Sequence, residues 1–217
     1  MPAALAWATT LLLAGPGLSP GVGEGFCACY RSAMSMSAQR KMTVDEFLAW
    51  AEGQDGRWEL YNGVPYAMAP ERARHGEVKF AVQTALVQGI RKAGLACHMR
   101  PDGATVRVSQ YIAHEPDALV YCGPKLPDES IEVPEPVIVV EVASPSTRKI
   151  DTSLKLTGYF SLPSVQHYLI VDPDGPPVLH HRRQSDGTIL TSIVRDGVLN
   201  LAPPGIEVAV GEIFAGA

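Results

Sequence analysis

An α/β (α+β) fold, with a mixed β-sheet flanked by helices and additional β-hairpins, is what this sequence predicts. Three observations point there. Val137-Ile138-Val139-Val140 is an uninterrupted β-branched run, the signature of a central strand buried on both faces. Two segments repeat apolar residues at helical spacing ahead of it, and several short strand-like runs are joined by Asn-Gly or Asp-Gly turns. Helices mixed with mostly hairpin-connected strands give a mixed sheet.

The elements follow in order from Met42. Thr43-Val44-Asp45-Glu46 has the spacing of a capping box, and Val44, Phe47, Leu48 and Ala51 continue it as a short amphipathic helix closed by Gly53 and Gly56. Trp58 to Tyr61 and Val64 to Met68 flank Asn62-Gly63 and read as a hairpin. Val78, Ala81, Val82, Ala85, Leu86 and Ile90 mark one face of a long helix that ends near Gly94. Strands are expected at Leu95 to Met99, Thr105 to Val108 and Ala118 to Tyr121, then at the Val137 run. A helix from about Thr152 to Phe160 and a strand from His167 to Val171 follow. The tail reads as a meander of Val178 to Arg182, Ile189 to Val194 and Val198 to Leu201.

With 217 residues, 46% of them hydrophobic, the chain is long enough for one domain with a full core. That domain is expected over residues 34–217. Residues 1–33 stand apart: an apolar stretch from Leu5 to Gly15, then Pro16, Gly17, Pro20, Gly21 and Gly23, with no basic residue before Arg31. The stretch lacks the positive segment of a signal peptide and is too short to span a bilayer. We read it as an extension outside the domain, with translation starting at Met34 or Met36, and the protein as cytoplasmic. Cys27, Cys29, Cys97 and Cys122 form neither a dense disulfide framework nor a paired zinc-ligand pattern, so reduced thiols are expected. A net charge of -5 argues against general affinity for nucleic acid, although a bound metal reverses the field locally.

Candidate chemistry centres on three residues. Glu141 directly follows the Val137–Val140 run, where an ionised carboxylate is costly unless paired, hydrogen-bonded or metal-bound. Asp117, in Glu115-Pro116-Asp117, precedes the apolar Ala118-Leu119-Val120-Tyr121 run; alone, a Pro-Asp pair is more often a turn. The span between the two acids lets one strand leave and its neighbour return, so both carboxylates can share a hard cation such as Mg2+. Lys155 lies one helical turn before Tyr159 and could aim its ammonium at that site; the competing reading is a solvated lysine paired with Asp151. His75 opens the long helix beside Arg72, Arg74 and Lys79 and reads more readily as a helix-start histidine than as a site residue. His180-His181-Arg182-Arg183 would be split between the two faces of a strand.

Taken together, Glu115-Pro116-Asp117, Val139-Val140-Glu141-Val142-Ala143-Ser144-Pro145-Ser146, Asp151, Lys155, Tyr159 and Gln166-His167-Tyr168-Leu169-Ile170-Val171-Asp172-Pro173 resemble the Uma-type restriction-endonuclease family of the PD-(D/E)XK nuclease superfamily. Arg57-Trp58-Glu59-Leu60-Tyr61-Asn62-Gly63 and His75 are similar to its N-terminal part, so the likeness spans about Met42 to Phe214. The resemblance implies a restriction-endonuclease-like fold and hydrolysis of DNA phosphodiester bonds with Mg2+ or Mn2+. Asp117 and Glu141 would be metal ligands, joined by Glu59 and the Val142 carbonyl, with Lys155 as the catalytic cation. The superfamily places its lysine two residues after the acid; that position is Ala143 here, and Lys155 on the following helix fills the vacant role. This departure, with the negative net charge, keeps open a second reading, a nuclease-fold module with a binding or regulatory role. A homodimer is compatible with the sequence, and no membrane partner is expected.

Overall fold

Thr43 caps the first helix as its spacing predicts. Its hydroxyl accepts from the Glu46 N–H at 3.3 Å, and the Glu46 carboxylate accepts from the Thr43 N–H at 2.9 Å. The computed structural model describes residues 40–144 and 151–214, without the side chains of residues 151 and 152. The expected extension over 1–33, the start at Met34 or Met36, and Cys27 and Cys29 therefore lie outside the described residues.

Helix α1 (Val44–Ala51) is followed by the hairpin β1 (Trp58–Tyr61) and β2 (Val64–Ala67). Asn62 and Gly63 both take positive φ, 50° and 82°, which matches the twist of the flanking strands. Then come α2 (Ala73–Ala93), β3 (Cys97–Pro101), β4 (Val106–Ser109), β5 (Ile112–His114), β6 (Ala118–Cys122) and β7 (Pro136–Val142). A π-helical turn (Asp151–Lys155) runs into α3 (Leu156–Ser161), then β8 (His167–Val171), β9 (Val178–Arg183), β10 (Ile189–Val194), β11 (Val198–Leu201), β12 (Ile206–Ala209) and α4 (Val210–Phe214).

The main sheet has six strands in the order β10-β9-β8-β7-β6-β3. It is mixed: β7 and β8 run parallel, joined by the crossover that carries α3, while the other pairs are antiparallel. Being interior, β7 is buried along nearly its whole length. One face of the sheet, with Ile138, Val140 and Val142, packs on Val78, Val82 and Leu86 of α2 and on Leu201 and Ile206. The other face, with Leu119, Val139 and Tyr168, packs on Tyr159 and Val106. A second sheet of four strands, β2-β1-β5-β4, turns Leu60 and Ala113 toward Val44 and Phe47 of α1. Each fully buried aliphatic side chain contributes roughly 1.5–3 kcal/mol, so the two large faces dominate stability.

Four features depart from the sequence reading. The tail is not a three-strand meander: β11 leaves the main sheet and pairs with β12, because Leu199 and Leu201 are buried in the core shared with α2. The three-residue β5 and the strand β12, just after Pro203-Pro204-Gly205, are too short or too punctuated to show a period. Helix α4 was also not anticipated. Cys97 and Cys122 are not reduced thiols but a disulfide, since the β3–β6 register sets them directly opposite one another. Sequence spacing carries no such register, and the pairing removes the thiol argument for a cytoplasmic chain. Among the described residues no helix is long and apolar enough to cross a membrane.

Gly89 sets how closely α2 approaches β12. A Cβ there would lie 2.5 Å from Ile206 Cγ2 and 3.0 Å from the Glu207 carbonyl oxygen. Alanine gains about 1 kcal/mol of helix propensity, but overpacking a filled contact costs about 1–3 kcal/mol. Gly89→Ala is thus expected to leave stability unchanged or lower it, by up to about 2 kcal/mol in urea unfolding; a rise in stability would refute this packing account.

Candidate active site

The strand register brings the two predicted acids together. Ala118 pairs with Val140 in the antiparallel β6–β7 ladder, so Asp117, one residue before, and Glu141, one residue after, follow on the same face. Both are buried, at 5% exposure each, so Glu141 is not a carboxylate that has emerged into solvent. Asp117 Oδ2 accepts the Val142 N–H at 2.7 Å, and its backbone carbonyl accepts from Gln83 of α2 at 2.8 Å.

Lys155 is the hub. Its ammonium lies 2.9 Å from Glu141 Oε1 and 3.0 Å from Glu59 Oε1, and the side chain is only 3% exposed. The solvated-lysine reading fails on that burial; the Asp151 side chain lies outside the described residues. The Tyr159 hydroxyl, one turn further on, donates to Glu141 Oε1 at 2.7 Å. Glu59 arrives from the other sheet, on β1, and is held by the Tyr61 hydroxyl at 2.7 Å and the Glu115 N–H at 2.8 Å. The cation and its two acids thus bridge both sheets.

Titration follows from these contacts. Burial pushes the Glu59 carboxyl up, but Lys155, His114 and the hydrogen bonds from Glu115 and Tyr61 outweigh it, and Glu59 lies below its ordinary value. Asp117 goes the other way: burial raises it, and the Val142 N–H, His75, Lys79 and Lys155 offset that only in part. Burial lowers His114 to about 4, with Glu59 opposing and Lys155 reinforcing. Burial also lifts the phenols of Tyr61 and Tyr159, so both stay protonated donors.

His75 stands in the first turn of α2, as the helix-start reading has it, and also lies beside Asp117. Its Nε2 meets the Val142 carbonyl oxygen at 2.8 Å and lies 3.7 Å from Asp117 Oδ2. On the other side, Nδ1 lies 3.7 Å from Glu71 Oε2 and has no hydrogen-bond partner among the described residues. Glu71, His75 and Asp117 each offer one ligand atom, all within 4.8 Å of one another. Behind them, Lys79 and Arg57 pair with Glu71 and Asp102, and Arg57 also reaches Glu115. Glu71 left no signal in the sequence; His75 left one in its place at the helix start and in its motif. In the basic run on β9, His180 and His181 are buried and Arg183 donates to the carbonyls of Phe160, Leu162 and Val165.

The chain is similar to known proteins. An uncharacterized protein of Synechocystis is 26% identical over 178 residues, which is 81% of this chain and 93% of that one. A solved structure from Anabaena variabilis, described as a "putative nuclease belonging to DUF820", superposes with a TM-score of 0.62 over 80% of this chain and 98% of that one; at 16% identity it establishes the fold. The model of the Uma2 family, described as "Putative restriction endonuclease", matches residues 44–211, from the first helical residue to the start of the last helix. Carrying Asp117, Glu141, Lys155 and His75 inside that span, this chain belongs to the Uma2 family.

Proposed function

We propose that the chain is a metal-dependent endonuclease that hydrolyses DNA phosphodiester bonds. The observation that carries this reading is one buried ammonium held between two carboxylates from different sheets, beside a third carboxylate and an imidazole. Such a cluster is expensive to desolvate and has no packing purpose that apolar side chains would not serve better.

The residues suit a hard divalent cation. Asp117 and Glu141 supply carboxylate oxygens and Val142 a carbonyl, with Glu59 one ammonium away. Nε2 of His75 lies 2.8 Å from the Val142 carbonyl oxygen and 3.7 Å from Asp117 Oδ2, so this nitrogen can join both as a ligand in the tautomer that leaves its lone pair free. Oxygen donors with one imidazole fit Mg2+ or Mn2+. Bound there, such a metal supplies a water of lowered pKa and neutralises phosphate charge. Lys155 presents its ammonium where the phosphorane builds negative charge, while Glu59, Glu141 and Tyr159 fix its position. Asp117, poised above its ordinary value, favours a cation that would take the place of its proton.

Plasmid or oligonucleotide DNA incubated with Mg2+ or Mn2+ should be cut, and chelation should stop it. Asp117→Ala and Glu141→Ala are each expected to slow cleavage by at least about a hundredfold. Variants that cut at the wild-type rate would overturn the assignment. Metal uptake without cleavage would favour the binding-module reading, which Ala143 in the usual lysine position motivates.

A further inference from the structure

The hairpin that delivers Glu59 also carries an aromatic ring that the core does not use. In the β1–β2 ladder Tyr66 pairs directly with Glu59, and Val64 with Tyr61, so these four side chains share one face. Leu60, on the opposite face, makes the hairpin's contact with α1. β2 is an edge strand, and its Tyr66 is 54% exposed, with Val64 at 40% beside it. The Tyr66 ring stands perpendicular to Tyr61, at 89° with centroids 5.4 Å apart. Tyr61 in turn donates to Glu59, which holds Lys155. An oriented, half-exposed ring therefore stands three contacts from the ammonium.

We infer that Tyr66 is a stacking platform for an unpaired nucleobase next to the phosphate engaged at this site, an inference that rests on the nuclease reading above. The perpendicular contact with Tyr61 fixes the plane of the ring, so little side-chain freedom is lost when a base lies on it. Stacking tolerates any base, because every base has a π-face. In a duplex the bases are already stacked and paired, so the platform favours single-stranded or frayed DNA.

The test is equilibrium binding of a single-stranded oligonucleotide with one 2-aminopurine, with Ca2+ in place of Mg2+, compared with a duplex of equal length. Tyr66→Leu keeps apolar bulk but removes the π-face. It is expected to weaken single-strand binding about tenfold, within the range stacking supports, and to abolish quenching of the probe. Tyr66→Phe and Tyr66→Trp should restore both, and duplex affinity should change by less than about twofold on the same scale. Unchanged single-strand affinity and quenching in Tyr66→Leu, or equal weakening for both DNAs, would overturn the platform. If the wild-type protein cuts DNA while Tyr66→Leu behaves identically, only this inference falls. If the wild type neither binds nor cuts nucleic acid, both readings fall.

Discussion

Replacing Lys155 with methionine is expected to destabilise the fold by about 3–5 kcal/mol, the usual cost of breaking a buried ion pair from one side. Methionine keeps the chain length and the apolar stem. What is lost is the charge that lies 2.9 Å from Glu141 and 3.0 Å from Glu59. The loss should be largest at neutral pH and shrink toward acid, where a carboxyl left without its cation can take up a proton. Adding Glu59→Gln to the same chain removes one of the two stranded charges and should recover part of the stability. Urea unfolding of the single and double variants reads this directly. If Lys155→Met unfolds at the wild-type midpoint, the ammonium is not the tie between the sheets. Cleavage should be lost in both variants, so stability and activity separate in the double one.

Acid should unfold the protein well before most carboxylates titrate. His114, His167 and His180 are all lowered to about 4, with burial the first cause in each case. The unfolded chain takes up those protons near pH 6.5, so it binds more protons than the native state between about 6.5 and 4. The stabilisation is therefore complete above the unfolded value and declines as pH falls through that window. Each histidine contributes a slope of up to about 1.4 kcal/mol per pH unit, or about 4 together. The lowered Glu59 adds to the loss at more acid pH, whereas the raised Asp117 works the other way. One carboxyl against three histidines does not reverse the sign. His114→Phe is the cleanest probe, because the ring packs against Tyr61 and Tyr159 and its Nδ1 has no hydrogen-bond partner among the described residues. It should flatten the stability profile between pH 6.5 and 4 by about a third. An unaltered slope would show that His114 is protonated in the native state.

The parts of the site that could be read from sequence were those with a local physical signature. Glu141 stood out because it interrupts a β-branched run, and Asp117 because its strand lies within loop reach of Glu141's. A helix after Glu141 could aim Lys155 at the same site, but the Tyr159 hydroxyl on Glu141 was not read from the sequence. Glu59 entered only through a family motif and His75 was read chiefly as a helix start, since nothing nearby in sequence says that β1 will face the turn carrying Lys155 or that α2 will start over Val142. Glu71 and the disulfide were beyond reach for the same reason: both depend on register between distant elements. Long periodic helices and the buried strand were legible; the strands β5 and β12 were not, being too short to show alternation.

Because Glu59 rides on one sheet and Glu141 on another, with Lys155 reaching from a helix between them, the reactive centre exists only when both layers are docked in register. A nascent, nicked or partly melted copy has the same residues and no assembled centre. On the proposed nuclease reading, an enzyme built this way is inert until it is finished and disarms itself on coming apart.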